Sequence, residues 1–328
     1  MKAVWFENFG KSEDVIQVGE LPKPIAKKGE VLIKLATSGV NPSDVKKRAG
    51  SFPNLLDDGL VIPHSDGAGL IEAVGKGVSE DRIGERVWVY QAQYGRQMGT
   101  AAEYVALDET RAAPLPVSTN FAVGACMGIP AMTSHRCVNA DGDIQGQTVL
   151  VTGGAGRVGF YAIQWAILAG AEVVATASKP SDRDLCLALG AMAVVNHQDK
   201  DWGQQVLKAT KGKKVQRVID VEFGANLNQI LRCIATNGVI ATYSSTQVTN
   251  PSLPFLDMMY MDITLRMVIV YAMPESAKTS AIKAITSALE GDKLSHRVAH
   301  IVPLAETARA QKLIEMGGFG GCVVVSME

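Results

Sequence analysis

The chain has 328 residues, a formal net charge of −1 and 47% hydrophobic residues, a length typical of roughly two domains of about 150 residues each. Because the charge is balanced and no basic run occurs, binding to nucleic acid or to a membrane surface is not favoured. The five cysteines are never spaced as C-x-x-C, which argues against a disulfide framework or a cysteine-rich metal site. The chain start lacks the apolar core of a secretion signal, and no apolar run is as long as a membrane span, so we expect a cytoplasmic protein.

The N-terminal part, residues 1 to about 121, consists of short apolar alternations. Examples are Glu30–Leu35, Gly69–Val74 and Glu85–Tyr90, which are separated by turns rich in glycine, proline and aspartate. Alternation of this kind is typical of strands with one buried face. The pattern predicts a compact, β-rich domain.

A glycine-rich stretch, Thr148–Leu168, lies near the middle of the chain. A branched apolar run opens it and predicts a strand buried on both faces, and Gly154, Gly156 and Gly159 then form G-x-G-x-x-G before residues with helical periodicity. Such a turn lets the backbone approach a pyrophosphate at the N-terminus of the helix. We therefore predict a dinucleotide site at Gly154, Ala155, Gly156, Arg157, Val158 and Gly159.

Strands and helices alternate after this stretch. The predicted elements are the strand Glu172–Ala177, the helix Asp182–Leu189, and the strands Ala193–Val195, Val215–Asp220, Gly238–Tyr243 and Thr264–Tyr271. They are followed by the helix Ser276–Leu289, the strand Val298–Val302, the helix Leu304–Glu315 and the strand Cys322–Val325. The alternation predicts an α/β protein with a doubly wound parallel sheet, whose nucleotide lies across the carboxyl ends of the strands.

The end of the second strand of this sheet predicts the cofactor. NAD sites carry an acidic residue about twenty residues after the glycines, whereas this strand ends in Ala177, Ser178 and Lys179. A hydroxyl and an ammonium attract a 2′-phosphate, and Arg183 and His197 can add charge or hydrogen bonds. We therefore expect NADPH, with solvated surface charges at Lys179 and Arg183 as the alternative.

Three motifs together carry a family resemblance. The segments Ser38–Gly50 and His64–Val78, followed by the mid-chain glycine-rich unit, resemble the medium-chain dehydrogenase/reductase superfamily and, within it, the zinc-free quinone oxidoreductase (zeta-crystallin-like) branch. The resemblance implies a GroES-like β-barrel catalytic domain over residues 1–121, completed by 268–328. It also implies a Rossmann NADP-binding domain over residues 122–267.

The metal ligands of zinc-dependent relatives are missing. Those relatives carry a cysteine where this chain has Ser38–Val40, a His–Glu pair at Ser65–Asp66 and another cysteine near Ile129, and their four-cysteine lobe corresponds to Tyr90–Ala101, which has no cysteine. Only the aspartate of these residues is an obvious donor, and a catalytic zinc needs three. We expect no metal, and interpret His64 as a polar contact or a surface residue.

The resemblance implies roles for three further positions. Asn41 corresponds to an active-site asparagine that contacts the nicotinamide side or the substrate, Thr133 to a threonine facing the nicotinamide, and Ser244 to a residue near the pyrophosphate and nicotinamide ribose. From the residues alone, Asn41 can equally shape the turn before Pro42, and Thr133 can be an ordinary helix residue.

Two residues depart from the family pattern in the expected substrate pocket. Lys46 stands where a tyrosine is usual, and Tyr271 stands near a common arginine. We expect Asn41 and Tyr271 to be donors near the substrate. The Lys46 ammonium can also stabilise a developing oxyanion, although a solvated helix face that includes both Lys46 and Lys47 is the favoured alternative.

A quinone or enone suits a site without a metal, because such an acceptor spreads the incoming negative charge over its own oxygen. The sequence therefore predicts NADPH-dependent hydride transfer to a quinone or an α,β-unsaturated carbonyl in a cleft between the domains. The alternatives are an enoyl-thioester reductase and a non-catalytic, crystallin-like NADPH-binding protein. The apolar edge strand Thr264–Tyr271 predicts a homodimer, which is also what the resemblance implies.

Overall fold

The structure is a computed structural model that describes all 328 residues. The strands are β1 (Lys2–Trp5), β2 (Gln17–Glu20), β3 (Glu30–Val40), β4 (Asp66–Val74), β5 (Arg86–Val89), β6 (Tyr104–Asp108), β7 (Ala112–Pro114), β8 (Thr148–Val151), β9 (Glu172–Thr176), β10 (Ala193–Val195), β11 (Val215–Asp220), β12 (Ile234–Thr242), β13 (Thr264–Met267), β14 (Val298–Pro303) and β15 (Cys322–Ser326). The helices are α1 (Ser12–Val15), α2 (Pro42–Arg48), α3 (Phe121–Gly124), α4 (Met132–Asn139), α5 (Arg157–Leu168), α6 (Pro180–Ala188), α7 (Trp202–Ala209), α8 (Phe223–Cys233), α9 (Phe255–Tyr260), α10 (Glu275–Glu290) and α11 (Thr307–Met316).

The chain divides into two compact units. One consists of Met1–Ile129 together with Ile282–Glu328, and the other of Pro130–Ala281. Both divisions fall later in the chain than the boundaries expected from the sequence, after residues 121 and 267. The segment after β13 stays with the second unit because the backbone N–H of Val268 still donates to the carbonyl of Thr242 at 2.7 Å.

The Pro130–Ala281 unit contains a six-stranded, entirely parallel sheet in the order β10-β9-β8-β11-β12-β13. Its order reverses between β8 and β11, the place where ligands bind in open α/β sheets. All four residues of β8 are buried, as the apolar run predicts for a strand covered on both faces. The doubly wound Rossmann sheet is thus confirmed.

The last strand of this sheet is shorter than predicted. We expected a strand over Thr264–Tyr271, but β13 ends at Met267, and Val270–Ala272 forms a 3₁₀ turn. The reason is that its partner β12 ends at Thr242, so no backbone groups remain to pair with residues beyond Val268. Apolar composition alone does not show where the partner strand stops.

The other unit contains a sheet in the order β14-β15-β3-β4-β5-β7, with β6 paired to β3. Here β15 lies antiparallel to β3, so strands from both ends of the chain complete one sheet. This arrangement is the one that the GroES-like resemblance implies. The predicted helix Leu304–Glu315 is divided into a 3₁₀ turn at Leu304–Glu306 and the helix α11.

No helix combines the length and the apolar composition needed to cross a membrane.

Candidate cofactor and substrate sites

The glycine-rich turn joins β8 to α5 in the way the motif requires. Gly153 has φ 60°, and Gly156 is the N-cap residue of α5. A Cβ atom on Gly159 would lie only 2.3 Å from the carbonyl oxygen of Gly153, whereas one on Gly156 would meet nothing closer than 3.1 Å. Gly159 therefore allows the close approach of helix and strand, and Gly156 leaves the free N-terminus of α5 open to a ligand.

A cavity of about 640 Å³ lies at the carboxyl ends of the central strands β8, β9 and β11. Its lining residues come from the turns after these strands and from their neighbours. They are Thr152, Gly153, Thr176, His197, Gln198, Trp202, Val221, Glu222, Ala225, Asn226, Ser244, Thr246 and Gln247. A concave site beside a glycine-rich turn and a free helix N-terminus fits a dinucleotide.

Asp220 holds two residues that line this cavity, and it was not predicted from the sequence. Its Oδ1 atom accepts hydrogen bonds from Thr152 Oγ1 at 2.7 Å and from Asn226 Nδ2 at 2.8 Å. Burial raises the pKa of this carboxyl group. The available signal was a carboxylate directly ending an apolar strand, which places it at the sheet edge where ligands bind.

Glu222 was also missed, and it anchors the loop after β12. Its Oε1 atom accepts hydrogen bonds from the backbone N–H of Thr246 at 2.8 Å and of Gln247 at 2.9 Å. The Ser244 hydroxyl lies 3.2 Å from that of Thr246. The loop that carries Ser244 is therefore held at the cavity from the adjacent strand end.

Of the residues expected to recognise a 2′-phosphate, one lines the cavity and three do not. His197 lines the cavity, and burial lowers the pKa of its imidazole, so it offers hydrogen bonds from the neutral ring at neutral pH. Ser178 is half-buried, and Lys179 is the exposed N-cap residue of α6. Arg183 is exposed on α6. None of these last three residues lines the cavity.

Thr133 and Tyr271 are both buried in the Pro130–Ala281 unit. Thr133 lies in the first turn of α4, directly after a π-helical turn, Met127–Ala131. Tyr271 lies in the 3₁₀ turn rather than in a strand. Neither residue lines the 640 Å³ cavity.

Asn41 belongs to a buried polar cluster in the other unit. It precedes α2, and its Nδ2 atom donates to Asp66 Oδ2 at 2.8 Å. The backbone N–H of Ile129 donates to the same carboxylate oxygen, also at 2.8 Å. The positions at which zinc-dependent relatives carry ligands thus lie together here, although no three His, Cys, Asp or Glu side chains form a metal-binding group.

The two neighbouring lysines of α2 have different surroundings. Lys46 is exposed, in keeping with the surface alternative, but Lys47 is buried, so a solvated face for both was wrong. Asp44, Lys47 and Arg48 share the buried side of the helix, since residues three and four apart lie on one face. The ammonium of Lys47 donates to the carbonyl of Gln93 at 2.5 Å, and burial lowers its pKa.

His64 is fully buried, so its interpretation as a surface residue is wrong. Its Nδ1 atom lies 2.9 Å from Ser38 Oγ, and its Nε2 atom lies 3.3 Å from Gln311 Nε2. Burial lowers its pKa to about 3, so the ring is neutral at ordinary pH. It is therefore the polar contact that the other interpretation described.

Burial has the opposite effect on the acidic members of the cluster. It raises the pKa of Asp66 to about 8 and that of Asp44 to about 6, because an ionised carboxylate loses its hydration there. The neighbouring ammonium of Lys47 lowers both values in part. The cluster can therefore fix the orientation of the Asn41 amide while it carries little net charge itself.

Two family models match the chain. The model described as alcohol dehydrogenase GroES-like domain matches residues 27–117, and the one described as zinc-binding dehydrogenase matches residues 158–287. They match the barrel part and the Rossmann part of the chain, respectively.

Curated relatives and solved structures agree with these matches. Quinone oxidoreductase from Mus musculus is 33% identical over 244 residues, covering 73% of this chain and 71% of the relative. The one from Pongo abelii is 29% identical over 322 residues, covering 97% and 94%. The solved structure of mycobacterial Rv1454c complexed with NADPH superposes with a TM-score of 0.87 at 25% identity, covering 99% of this chain and all of that one. With the two-unit fold and the glycine-rich turn, these similarities show that the chain belongs to the quinone oxidoreductase branch of the medium-chain dehydrogenase/reductase superfamily.

Proposed function

We propose that this enzyme is an NADPH-dependent, zinc-independent oxidoreductase that transfers a hydride to a quinone or a related α,β-unsaturated carbonyl. One observation carries the proposal. The dinucleotide-sized cavity beside the glycine-rich turn adjoins the end of β9, where Ala177, Ser178 and Lys179 stand in place of an acidic ribose ligand. NADPH, when bound, supplies the hydride.

The charge at the end of β9 favours NADPH over NADH. A carboxylate at the end of β9 would repel a 2′-phosphate, whereas the Ser178 hydroxyl and the exposed Lys179 ammonium attract it. The neutral His197 adds a hydrogen-bonding group from the cavity wall. The complex of mycobacterial Rv1454c with NADPH is consistent with this preference.

Zinc independence is supported by the polar cluster around Asp66. Ser65 stands at one of the expected ligand positions, and Ile129 contributes only a backbone N–H to Asp66. The buried ammonium of Lys47 lies 3.5 Å from Ser65 Oγ and opposes the entry of a divalent cation by charge repulsion. Without a metal to polarise an isolated ketone, a conjugated acceptor is the easier substrate.

The acceptor needs hydrogen-bond donors rather than a strong acid. Once reduced, a quinone or enone carries its charge on oxygen, where neutral donors stabilise it and water protonates it. We assign this role to Asn41 and Tyr271. The exposure of Lys46 supports its surface alternative over a part in the chemistry.

The test is a kinetic assay of purified protein that follows NADPH absorbance with a simple quinone, an enone, an enoyl thioester and a simple alcohol. We expect quinone or enone reduction that a metal chelator does not abolish, with a higher kcat/KM for NADPH than for NADH. Activity lost on chelation, or oxidation of alcohols without reduction of quinones and enones, would contradict the proposal. Preference for the thioester would indicate an enoyl-thioester reductase, and NADPH binding without turnover would indicate a crystallin-like protein.

A further inference from the structure

Asp66 is fully buried at the start of β4, and its two carboxyl oxygens differ in their hydrogen bonding. Oδ2 accepts hydrogen bonds from the Asn41 amide and from the Ile129 backbone. Oδ1 has no hydrogen-bond partner and lies against Gly128, where a Cβ atom would come within 2.0 Å of it. A buried carboxylate oxygen without a partner is costly, so the arrangement needs a reason beyond packing.

The contact with Ile129 determines which way the Asn41 amide faces. A backbone N–H can only donate, so Oδ2 of Asp66 accepts from it. When the carboxyl group is ionised, or carries its proton on the unpartnered Oδ1, the amide group that shares Oδ2 presents its nitrogen. The backbone N–H of Asn41 also donates to Asp44 Oδ2 at 2.8 Å, which fixes the main chain beneath the side chain. Both the position and the rotation of this amide are therefore determined.

The cluster also contains a compensating charge. Lys47 follows Asp44 by one helical turn, and its ammonium hydrogen-bonds Gln93 O and approaches Ser65, the residue before Asp66. A buried cation near two buried carboxyl groups reduces the penalty of ionising them.

We propose that Asp66 is a positioning residue, whose carboxyl group, anchored by Ile129 and compensated by Lys47, fixes the orientation of the Asn41 amide for the reduction step. The inference rests on the proposed function for the role of Asn41 in turnover. The orientation of the amide can be measured without any turnover.

The kinetic test compares Asp66→Ala with Asp66→Asn and the matched surface variant Asp57→Ala, since Asp57 is exposed in the same unit. Asp66→Ala should lower kcat with a quinone about tenfold to a hundredfold, because a misplaced polar group forfeits the productive geometry. Its NADPH Kd should stay unchanged. Asp66→Asn keeps an acceptor oxygen and should recover most of kcat, and Asp57→Ala should behave as wild type.

A double-mutant cycle separates positioning from general damage. If Asp66 acts through Asn41, the substitution Asp66→Ala should cause little further loss of kcat in an Asn41→Ala background. Losses that add in the double variant would overturn the inference, as would an Asp66→Ala loss that appears only in KM for NADPH.

The second readout is proton exchange of the Asn41 side-chain amide by NMR, its signal identified by its absence in Asn41→Ala. In the wild type these protons should exchange far more slowly than those of the exposed Asn250, and Asp66→Ala should remove the protection. Fast exchange in the wild type would overturn the inference even if Asp66→Ala does not fold. If the wild type reduces no acceptor, the proposed function fails while this measurement still decides the positioning role.

Discussion

His64 shows how a single side chain can be held in an unfavourable state. Its backbone has φ 76°, a region that residues other than glycine seldom adopt, and its ring is fully buried. The contacts with Ser38 and Gln311 satisfy both ring nitrogens. Burial, together with the nearby positive charge of Lys47, keeps the imidazole neutral at pH values where water would protonate it.

This state predicts a pH-dependent stability. The folded pKa of His64 is about 3, so between pH 6.5 and 3 the unfolded chain binds a proton that the folded chain does not, and stability falls with falling pH. In the variant His64→Asn, the asparagine can adopt the positive φ at this position, and its side chain does not titrate. We expect this variant to be less stable than the wild type at pH 7. The difference between their free energies of unfolding should narrow by up to about 1.4 kcal/mol per pH unit as the pH is lowered. The measurement is urea unfolding of both proteins at pH 7, 6 and 5. If the free energies of unfolding of the two proteins change in parallel with pH, the expectation is refuted.

The role of a side chain could be predicted from the sequence where a motif specifies it. It could not be predicted where the role depends on whether the side chain is buried. The glycines of the turn follow from spacing alone, because backbone clearance is a local property. Lys47 could not be assigned in this way, because it lies beside an exposed lysine, and the position of Asp220 at a strand end indicates a ligand site without specifying its partners. Their roles depend on Gln93, Thr152 and other residues distant in sequence.

Strands and helices with strong periodicity were predicted well, whereas their ends depended on partners. β10 and β11 have the expected bounds. β3 continues to Val40 instead of ending at Leu35, because both β15 and the start of β4 pair with its second half. The β15 partner comes from the opposite end of the chain, so local composition does not contain that pairing.

The strand–turn–helix element at the cofactor site yields a prediction that separates packing from ligand binding. Gly159→Ala places a methyl group against the Gly153 backbone, which cannot move aside as a flexible side chain would, and should destabilise the protein by about 1–3 kcal/mol. Gly156→Ala approaches the Gly153 carbonyl oxygen only to 3.1 Å, a tight contact that a shift of a few tenths of an ångström relieves, and should therefore cost less stability than Gly159→Ala. Both should weaken NADPH binding, Gly156→Ala because its methyl group crowds the pyrophosphate. Calorimetry and NADPH fluorescence titration check the two effects, and an equal loss of stability in both variants would count against this division of roles.

The parallel sheet has two edges, β10 and β13, at which whole chains can associate. At one edge, β13 pairs only with β12, and Met267 at its end is 71% exposed. The neighbouring Phe255 and Tyr260 of α9 and Ile269 after the strand are exposed as well. An apolar strand edge of this kind invites pairing with another chain unless it is covered.

We therefore expect a homodimer in which two copies join at β13 across a two-fold axis, because a two-fold arrangement lets the same edge serve both partners and closes the assembly. Size-exclusion chromatography with light scattering at micromolar concentration should give twice the chain mass. Met267→Lys should shift the population toward monomer, since a charge on the paired edge must be desolvated next to its own copy. Met192→Lys is the matched control, because Met192 is a half-exposed methionine just before β10 at the opposite edge, and it should leave the dimer intact. A wild-type monomer would contradict the dimer itself, while dissociation by Met192→Lys but not by Met267→Lys would move the interface to the β10 edge.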